Sequence, residues 1–308
     1  MTQPSQGSTA NSQLRFRFSP GGRRLLGLTV AGAAVILGLV GVFVLVFHLV
    51  TDPLVDVHAY YNAAGRLNAG LPLYAGHGGV DDPDYYRYPP LLAILFRPLA
   101  LLPFEAAAII WEVGIIAALV VTLWHLGLRS RRTWIAVGIL AGPIAWSVTI
   151  GQAQVLVTLL LATGSPAGVA VATQLKLLPA LVALYWLGRR DWRSLGRFIL
   201  WSVVLSVAQL IFEPAGTIAF IGNTNLNQVG QVNNMSPYAV SPVLWLIFTV
   251  AGLILTLRLA RTRAGWPAAV AFSILATPRL LEYMLMTLLA ALRDPDSGAE
   301  SARSRTKS

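Results

Sequence analysis

The chain has 308 residues, of which 56% are hydrophobic and only 12% are charged, and its formal net charge is +10. Soluble globular chains carry about 25% charged residues, so a soluble fold could not cover this much apolar surface. The positive charge does not indicate nucleic-acid binding, because the arginines stand in short runs between apolar stretches, as the charges of cytoplasmic loops do. The chain contains no cysteine, which excludes disulfides, a thiol nucleophile and cysteine-ligated metals.

The apolar segments are continuous rather than alternating, which predicts an all-α, polytopic membrane helical bundle and not a barrel. The first span runs from Leu25 to Val50 without a charged residue. Its apolar core is too long for a secretory signal, so we interpret it as an uncleaved helix behind a cytoplasmic tail, 1–24. A polar stretch, 51–88, follows it.

Beyond this stretch the chain is apolar from Pro89 to Leu128, and Pro98 and Pro103 predict breaks in that run. Six further apolar segments follow, at 134–150, 155–163, 167–187, 198–212, 239–257 and 266–292.

Some of these segments cannot be simple spans. Segment 155–163 is too short to cross a bilayer unaided, and Pro179 and Pro278 interrupt apolar runs beside Lys176 and Arg279. Broken helices at membrane depth are tolerated where they line a cavity in the protein. We therefore expect about 8–10 membrane segments, some short or re-entrant. They form one domain, 25–292, before a disordered tail, 293–308.

The basic residues predict the orientation. Most of the 23 Lys and Arg residues lie in five clusters, at 15–24, 129–132, 189–197, 258–263 and 293–307. The positive-inside rule places all five clusters in the cytoplasm, so that loops 51–88 and 214–238 face outward.

Lys176 lies inside an apolar run, ATQLKLLPALVAL. A cation at this depth costs about 2.5–3.5 kcal/mol on insertion scales, so it normally has a partner or a task. It could extend to an interface, or pair with an acid such as Glu105, Glu112 or Glu282. It could equally bind an anionic lipid headgroup.

The outer loop begins with DVHAYYNAAGRLNAGLPLYAG, and its first residue is Asp56. On a helix, Asp56, Tyr60 and Ala63 share a face, and the carboxylate would stand where the headgroup of a lipid substrate lies. The alternative is an acid that caps a short helix. Asp52, in TDP, is interpreted as a turn or cap residue.

Other polar groups allow two interpretations each. The tyrosines of YYRYPP suit a membrane-interface belt or sugar stacking, and the amides of GQAQ (151–154) and of 223–238 suit sugar hydroxyls or plain loops. Asp81, Asp82 and Asp84 form a solvated turn more readily than a metal site. His58 and His77 lack a second histidine at metal spacing, so no metal site is predicted. No P-loop, GxGxxG, GxSxG or HExxH pattern is present.

Four motifs occur in order: DVHAYYNAAGRLNAGLPLY, YYRYPPLLAILFRPLALLP, WSVTIGQAQVLVTLLL and QLKLLPALVALYWLGRRDWR. Together they resemble the GT-C superfamily, and specifically glycosyltransferase family 87. That family includes polyprenol-phosphate-mannose-dependent alpha-mannosyltransferases. The resemblance is strongest over residues 25–200, and NNMSPYAV and ATPRLLEYML, within 233–284, resemble the family's later segments.

The resemblance implies roles for individual residues. Asp56 matches the family's acid after the first helix, and Lys176 matches its intramembrane lysine. Arg279, beside Pro278, is a second candidate cation for the donor phosphate on chemical grounds. Gln152 matches its GQ motif, although Ala153-Gln154 stands where Val-Asn is commoner. The substrate-binding candidates are His58, Tyr60, Tyr61, Tyr74, Tyr88, Gln152, Gln154, Asn233 and Asn234.

The implied activity is transfer of a hexose, with mannose as the expected sugar, from a polyprenyl-phosphate donor to a lipid-linked glycan on the outer face of the plasma membrane. Asp56 would be the general base and inversion the expected outcome, without metal or cofactor. Two other classes remain open. A transporter or flippase of lipid-linked sugars predicts internal repeats, which are not visible. A non-catalytic membrane subunit predicts that Asp56 is dispensable.

Overall fold

The computed structural model describes residues 20–74, 85–223, 229–230 and 232–293. His77, the turn of Asp81 to Asp84 and most of both expected tails lie outside these residues. In the described ranges all regular structure is helical, which confirms the predicted all-α class. The helices are α1 (Pro20–Thr51), α2 (Val55–Asn68), α3 (Pro90–Phe96), α4 (Phe104–Leu126), α5 (Arg131–Ile139), α6 (Ala141–Thr149), α7 (Gln154–Thr163), α8 (Pro166–Leu175), α9 (Leu184–Arg189), α10 (Trp192–Phe212), α11 (Pro214–Asn223), α12 (Pro242–Leu259) and α13 (Gly265–Leu275), with 3₁₀ segments at Leu99–Leu101, Leu178–Ala183, Pro237–Ala239 and Glu282–Leu292.

Four helices are long and apolar enough to cross a membrane, namely α1, α4, α10 and α12. Most of their large hydrophobic side chains are exposed, as lipid-facing side chains are. Three shorter apolar segments, α7, α13 and Glu282–Leu292, lie among them. The fold is therefore that of a polytopic helical membrane protein, and the number of crossings stays a prediction.

The helix breaks occur where the prolines predicted them. The chain leaves the helix between α3 and α4, at Pro98 to Pro103. It leaves it again after α8, where Lys176 is extended (φ −147°, ψ 126°) and a 3₁₀ segment begins at Leu178. A third interruption, between α13 and Glu282, leaves Arg279 outside any helix.

Contacts between helices show where several of the basic clusters lie. Helix α1 runs parallel to α5 and α6, since Gly138 lies against Ala34 and, further along both segments, Ala141 lies against Gly41. The Arg131 end of α5 therefore lies beside the first half of α1. At the same time, Arg261 Nε donates to the Gly188 carbonyl over 3.1 Å, which joins two other basic clusters. Asp56 follows the opposite end of α1, and the positive-inside rule predicts that this end faces outward.

Candidate functional site

A cavity of about 620 Å³ lies where the chain interruptions after α1, α6, α8 and α13 meet. One part of its wall is polar, and this part includes Asp52, Asp56, Tyr85, Arg87, Tyr88, Gln154, Lys176, Asn233, Arg279, Tyr283 and Thr287. The apolar part includes Val157, Leu161, Leu178, Ile274 and Met284. This combination suits an amphiphilic ligand with a charged head and a hydrocarbon tail.

Asp56 stands in the first turn of α2, directly at the polar wall. The Leu54 amide donates to the Thr149 carbonyl over 3.0 Å, and the Asp56 amide donates to the Ile150 carbonyl over 3.1 Å. These two hydrogen bonds fix the start of α2 against the end of α6. The cap position belongs to Leu54, which is left-handed (φ 59°), and no side chain caps the helix. The Asp56 carboxylate does not serve as a cap and lines the cavity instead.

The surroundings of Asp56 shift the pKa of its carboxyl in opposite directions. Burial raises the pKa of the Asp56 carboxyl to about 6, while the Lys176 charge and the hydrogen bond from Tyr88 oppose this rise. The carboxylate is therefore mostly ionised at neutral pH and is a stronger base than an exposed aspartate.

Lys176 presents a desolvated ammonium to the same cavity. Its Nζ is buried and has no hydrogen-bond partner among the described residues. It lies 5.2 Å from the ring centroid of Tyr88 and 5.0 Å from that of Tyr283, so two aromatic faces stabilise the cation. Among the described residues the ion pair is that of His48 with Asp52. Lys176 therefore forms no ion pair with Glu105, Glu112 or Glu282. The buried Nζ does not reach an interface either.

A buried network behind the cavity orients Tyr88. Tyr60 donates to Gln152 Oε1 over 2.8 Å, Gln152 Nε2 donates to the Tyr88 hydroxyl over 3.1 Å, and Tyr88 donates to Asp56 Oδ1 over 3.2 Å. Gly151 makes the turn that places Gln152, with φ +68°. Tyr60 and Gln152 are fully buried and outside the cavity, so they position its wall.

Gln154, in the second half of the GQAQ motif, and Asn233 line the cavity, while Asn234 supports its wall. Gln154 lines the cavity at 5% exposure; its Nε2 donates to Thr287 Oγ1 over 2.6 Å, and its Oε1 is buried without a partner in the part of the chain described. Asn233 lines the cavity, whereas Asn234 Nδ2 donates to the Pro278 carbonyl over 2.9 Å and holds the interruption before Arg279 in place.

Three further sequence candidates lie away from the cavity lining. His58 stacks on Phe104, with 3.8 Å between ring centroids. Tyr61 donates to the Leu102 carbonyl over 2.7 Å, and Tyr74 donates to the Tyr88 carbonyl over 2.8 Å. These contacts hold α2 and the segment that follows it against the neighbouring parts of the chain.

The structure adds cavity residues that sequence reasoning missed: Asp52, Arg87, Trp146 and Tyr283. Arg87 had a usable signal, because it directly precedes Tyr88 in the YYRYPP motif. Trp146 and Tyr283 also lie in motifs, WSVTIGQAQVLVTLLL and ATPRLLEYML, but a single aromatic residue in an apolar segment is ordinary and suggested no role. Among the described residues, no three His, Asp or Glu side chains are grouped as metal ligands would be.

Comparisons with known proteins identify the family of the chain. The model of glycosyltransferase family 87 matches residues 86–292, which confirms the resemblance seen in the motifs. A Mycolicibacterium smegmatis polyprenol-phosphate-mannose-dependent alpha-(1-2)-phosphatidylinositol pentamannoside mannosyltransferase is 36% identical over 46% of this chain and 39% of its own length. A second M. smegmatis protein, named for phosphatidylinositol mannoside instead, is 31% identical over 67% of this chain and 58% of its own. A Mycobacterium tuberculosis relative with the pentamannoside name is 32% identical over 44% of this chain and 36% of its own.

The chain therefore spans between about a third and three fifths of the length of these relatives. No solved structure matches the chain.

Proposed function

Because this chain belongs to glycosyltransferase family 87, we propose that it is an integral membrane mannosyltransferase that takes mannose from a polyprenyl-phosphate donor. The names of its relatives support the donor class and suggest the acceptor class, a lipid-linked mannoside. The positive-inside rule supports a reaction at the outer face of the cytoplasmic membrane.

One observation carries the proposal: Asp56 and Lys176 face the same cavity with opposite charges and separate tasks. Asp56 accepts the proton of the attacking sugar hydroxyl as that oxygen bonds to the anomeric carbon. The bond from the anomeric carbon to the phosphate oxygen breaks, and the phosphate leaves with the electron pair. Lys176 and Arg279 balance the charge of the leaving polyprenyl phosphate.

The carboxylates favour a single displacement with inversion. In the described part of the cavity wall the carboxylates are Asp52 and Asp56. Asp52 is engaged by His48, with 2.7 Å between Nδ1 and Oδ1. A covalent glycosyl-enzyme would use one free carboxylate as nucleophile and a second as acid and base. Asp56 alone is suited to the role of base, and the charge of the leaving group is met by cations.

The same arrangement removes the need for a divalent metal. A sugar linked through a monophosphate leaves one phosphate group, and Lys176, Arg279 and Arg87 line the cavity that would receive it. We therefore expect transfer to persist in a chelator such as EDTA.

The test is a transfer assay with the purified full chain in liposomes. Polyprenyl-phosphate [¹⁴C]mannose is offered with phosphatidylinositol mannosides as acceptors, and GDP-[¹⁴C]mannose replaces the donor in a parallel reaction. Label in a longer mannoside from the polyprenyl donor alone supports the proposal. Label that crosses the bilayer without a new glycosidic bond would identify a flippase and overturn it. If the wild-type chain shows no transfer, and cells that carry Asp56→Asn grow normally, the chain is a non-catalytic subunit.

A further inference from the structure

A second polar group lines the same cavity at the end of α1. His48 Nδ1 donates to Asp52 Oδ1 over 2.7 Å, and Thr51 Oγ1 lies 2.8 Å from the same oxygen. Among the described residues no hydrogen bond reaches the other carboxylate oxygen, Oδ2. The Asp52 side chain keeps 37% of its surface exposed, whereas the His48 side chain keeps 13%. Asp52 therefore offers one oriented oxygen to the cavity.

Aromatic packing fixes the histidine that holds Asp52. The His48 ring stacks on Trp146, with 4.7 Å between centroids and 9° between planes. Trp146 in turn stands perpendicular to Tyr283, at 5.6 Å, and both rings line the cavity. The imidazole has little freedom to turn, so the orientation of Asp52 is set by α1 and α6 together.

This group suits a neutral sugar rather than a phosphate. A carboxylate accepts hydrogen bonds from hydroxyls and repels an anion. The ion partner of Asp52 is His48, whereas the cations that line the cavity are Arg87, Lys176 and Arg279. The acceptor sugar must bring its attacking hydroxyl to Asp56, and Asp52 lines the same cavity only four residues earlier. The oriented oxygen of Asp52 is available in this cavity to the other hydroxyls of that sugar ring.

We propose that Asp52, oriented by His48, binds a hydroxyl of the acceptor sugar that is not the attacking one, and so forms the acceptor subsite beside the base. The inference rests on the proposed mannosyl transfer and adds to it a residue that selects the acceptor. In this assignment Asp52 contacts substrate, and His48 is a positioning residue.

The experiment uses octyl α-mannoside as a soluble acceptor, together with its 3-, 4- and 6-deoxy analogues. For Asp52→Asn we expect the acceptor KM to rise about tenfold to a hundredfold, as for the loss of a hydrogen bond to a charged group, with donor KM and kcat near wild type. In wild type, the KM of one deoxy analogue should exceed that of octyl α-mannoside by a similar factor. In Asp52→Asn, the KM of the same analogue should exceed that of octyl α-mannoside by less than about twofold, because the carboxylate partner of the missing hydroxyl is already gone.

A pair of variants tests the positioning role of His48. His48→Ala should raise the acceptor KM, and His48→Asn should restore most of it, because the amide nitrogen can replace Nδ1 as the donor to Asp52. An Asp191→Asn variant serves as the control, because Asp191 caps α10 away from the cavity lining, and asparagine caps as well as aspartate.

Calorimetric titration of octyl α-mannoside, without donor, separates this proposal from the proposed function. Absence of transfer by wild type would overturn the mannosyltransferase assignment, while weaker binding to Asp52→Asn would still support the subsite. An unchanged acceptor KM and affinity in Asp52→Asn, or a change in donor KM instead, would overturn the subsite. Lower thermal stability with unchanged acceptor binding would reduce the His48–Asp52 pair to a structural contact.

Discussion

The Tyr88 hydroxyl donates a hydrogen bond to Asp56 Oδ1 over 3.2 Å and so joins the residue before the Pro pair to the first turn of α2. The phenol has one proton to give, and the donation that it receives from Gln152 Nε2, at 3.1 Å, leaves that proton for Asp56. The base is thus oriented by a chain of hydrogen bonds that ends in the buried turn at Gly151.

The first prediction concerns the proton acceptor itself. Asp56→Asn keeps the shape of the side chain and removes the base, so kcat for mannosyl transfer should fall by at least about a hundredfold while donor affinity changes little. Transfer of labelled mannose at saturating donor and acceptor measures this, with proteins compared at equal folded yield. Asp191→Asn should match wild type. A wild-type kcat in Asp56→Asn would remove Asp56 from the reaction.

The second prediction is an acid limb in the pH profile. The base must be deprotonated, and burial raises the pKa of Asp56 to about 6, so kcat/KM should fall tenfold for each pH unit below about 6. Tyr88→Phe removes a hydrogen bond that favours the carboxylate, so the pKa should rise further and the limb should move to higher pH. A limb near pH 4, where an exposed aspartate titrates, would contradict this account of the site.

The third prediction addresses the buried ammonium. Lys176→Ala should raise the donor KM about tenfold to a hundredfold, because a charge-assisted contact to the phosphate is lost. Lys176→Arg should recover part of this loss, since the charge remains but the planar guanidinium fits the space between Tyr88 and Tyr283 less well. Initial rates over a range of donor concentrations, at a fixed acceptor concentration, measure the donor KM of each variant. If the Ala variant keeps the donor KM of wild type, the cation has another role.

The interruptions of the bundle could be predicted because their causes are local. Pro179 and Pro278 disrupt helical hydrogen bonding wherever the helices pack, and a cation beside each proline favoured a lined cavity over a continuous span. The resemblance to the family supplied Asp56 and Lys176 by motif. Only the structure shows that these two residues line one cavity. They are far apart in sequence, and they meet because α2 begins against α6 while α7 packs on α8.

Other features of the site depend on tertiary contacts that no local pattern reports. His58, Tyr61 and Tyr74 had the composition of sugar ligands, yet packing against Phe104, Leu102 and Tyr88 takes them out of the cavity lining. Conversely, Asp52 looked like a turn residue because its partner, His48, lies inside an apolar helix that seemed wholly lipid-facing.

The fourth prediction tests the turn that supports the site. At Gly151, φ is +68°, and an added Cβ would meet Val57 and would lie 2.7 Å from Glu112 Oε1. Gly151→Ala should therefore lower the thermal unfolding temperature in detergent and reduce transfer, with about 1–2 kcal/mol lost from the backbone conformation alone. Gly65→Ala is the matched control within α2, because an added Cβ there meets nothing within 4 Å. That variant should be neutral or gain up to about 1 kcal/mol. Equal behaviour of the two variants would contradict the proposed role of the turn.

The last prediction is the orientation on which the outer-face reaction depends. The native chain has no cysteine, so a single introduced thiol reports its own position without background. Leu71 follows α2 and is 51% exposed, and Arg263 is exposed in the basic cluster after α12. In intact cells a membrane-impermeant maleimide should label Leu71→Cys, and it should label Arg263→Cys only after permeabilisation, because basic loops remain in the cytoplasm. The reverse pattern would turn the cavity, with Asp56 and Lys176, toward the cytoplasm. The outer-face acceptor would then be excluded, even if Asp56→Asn still abolished transfer.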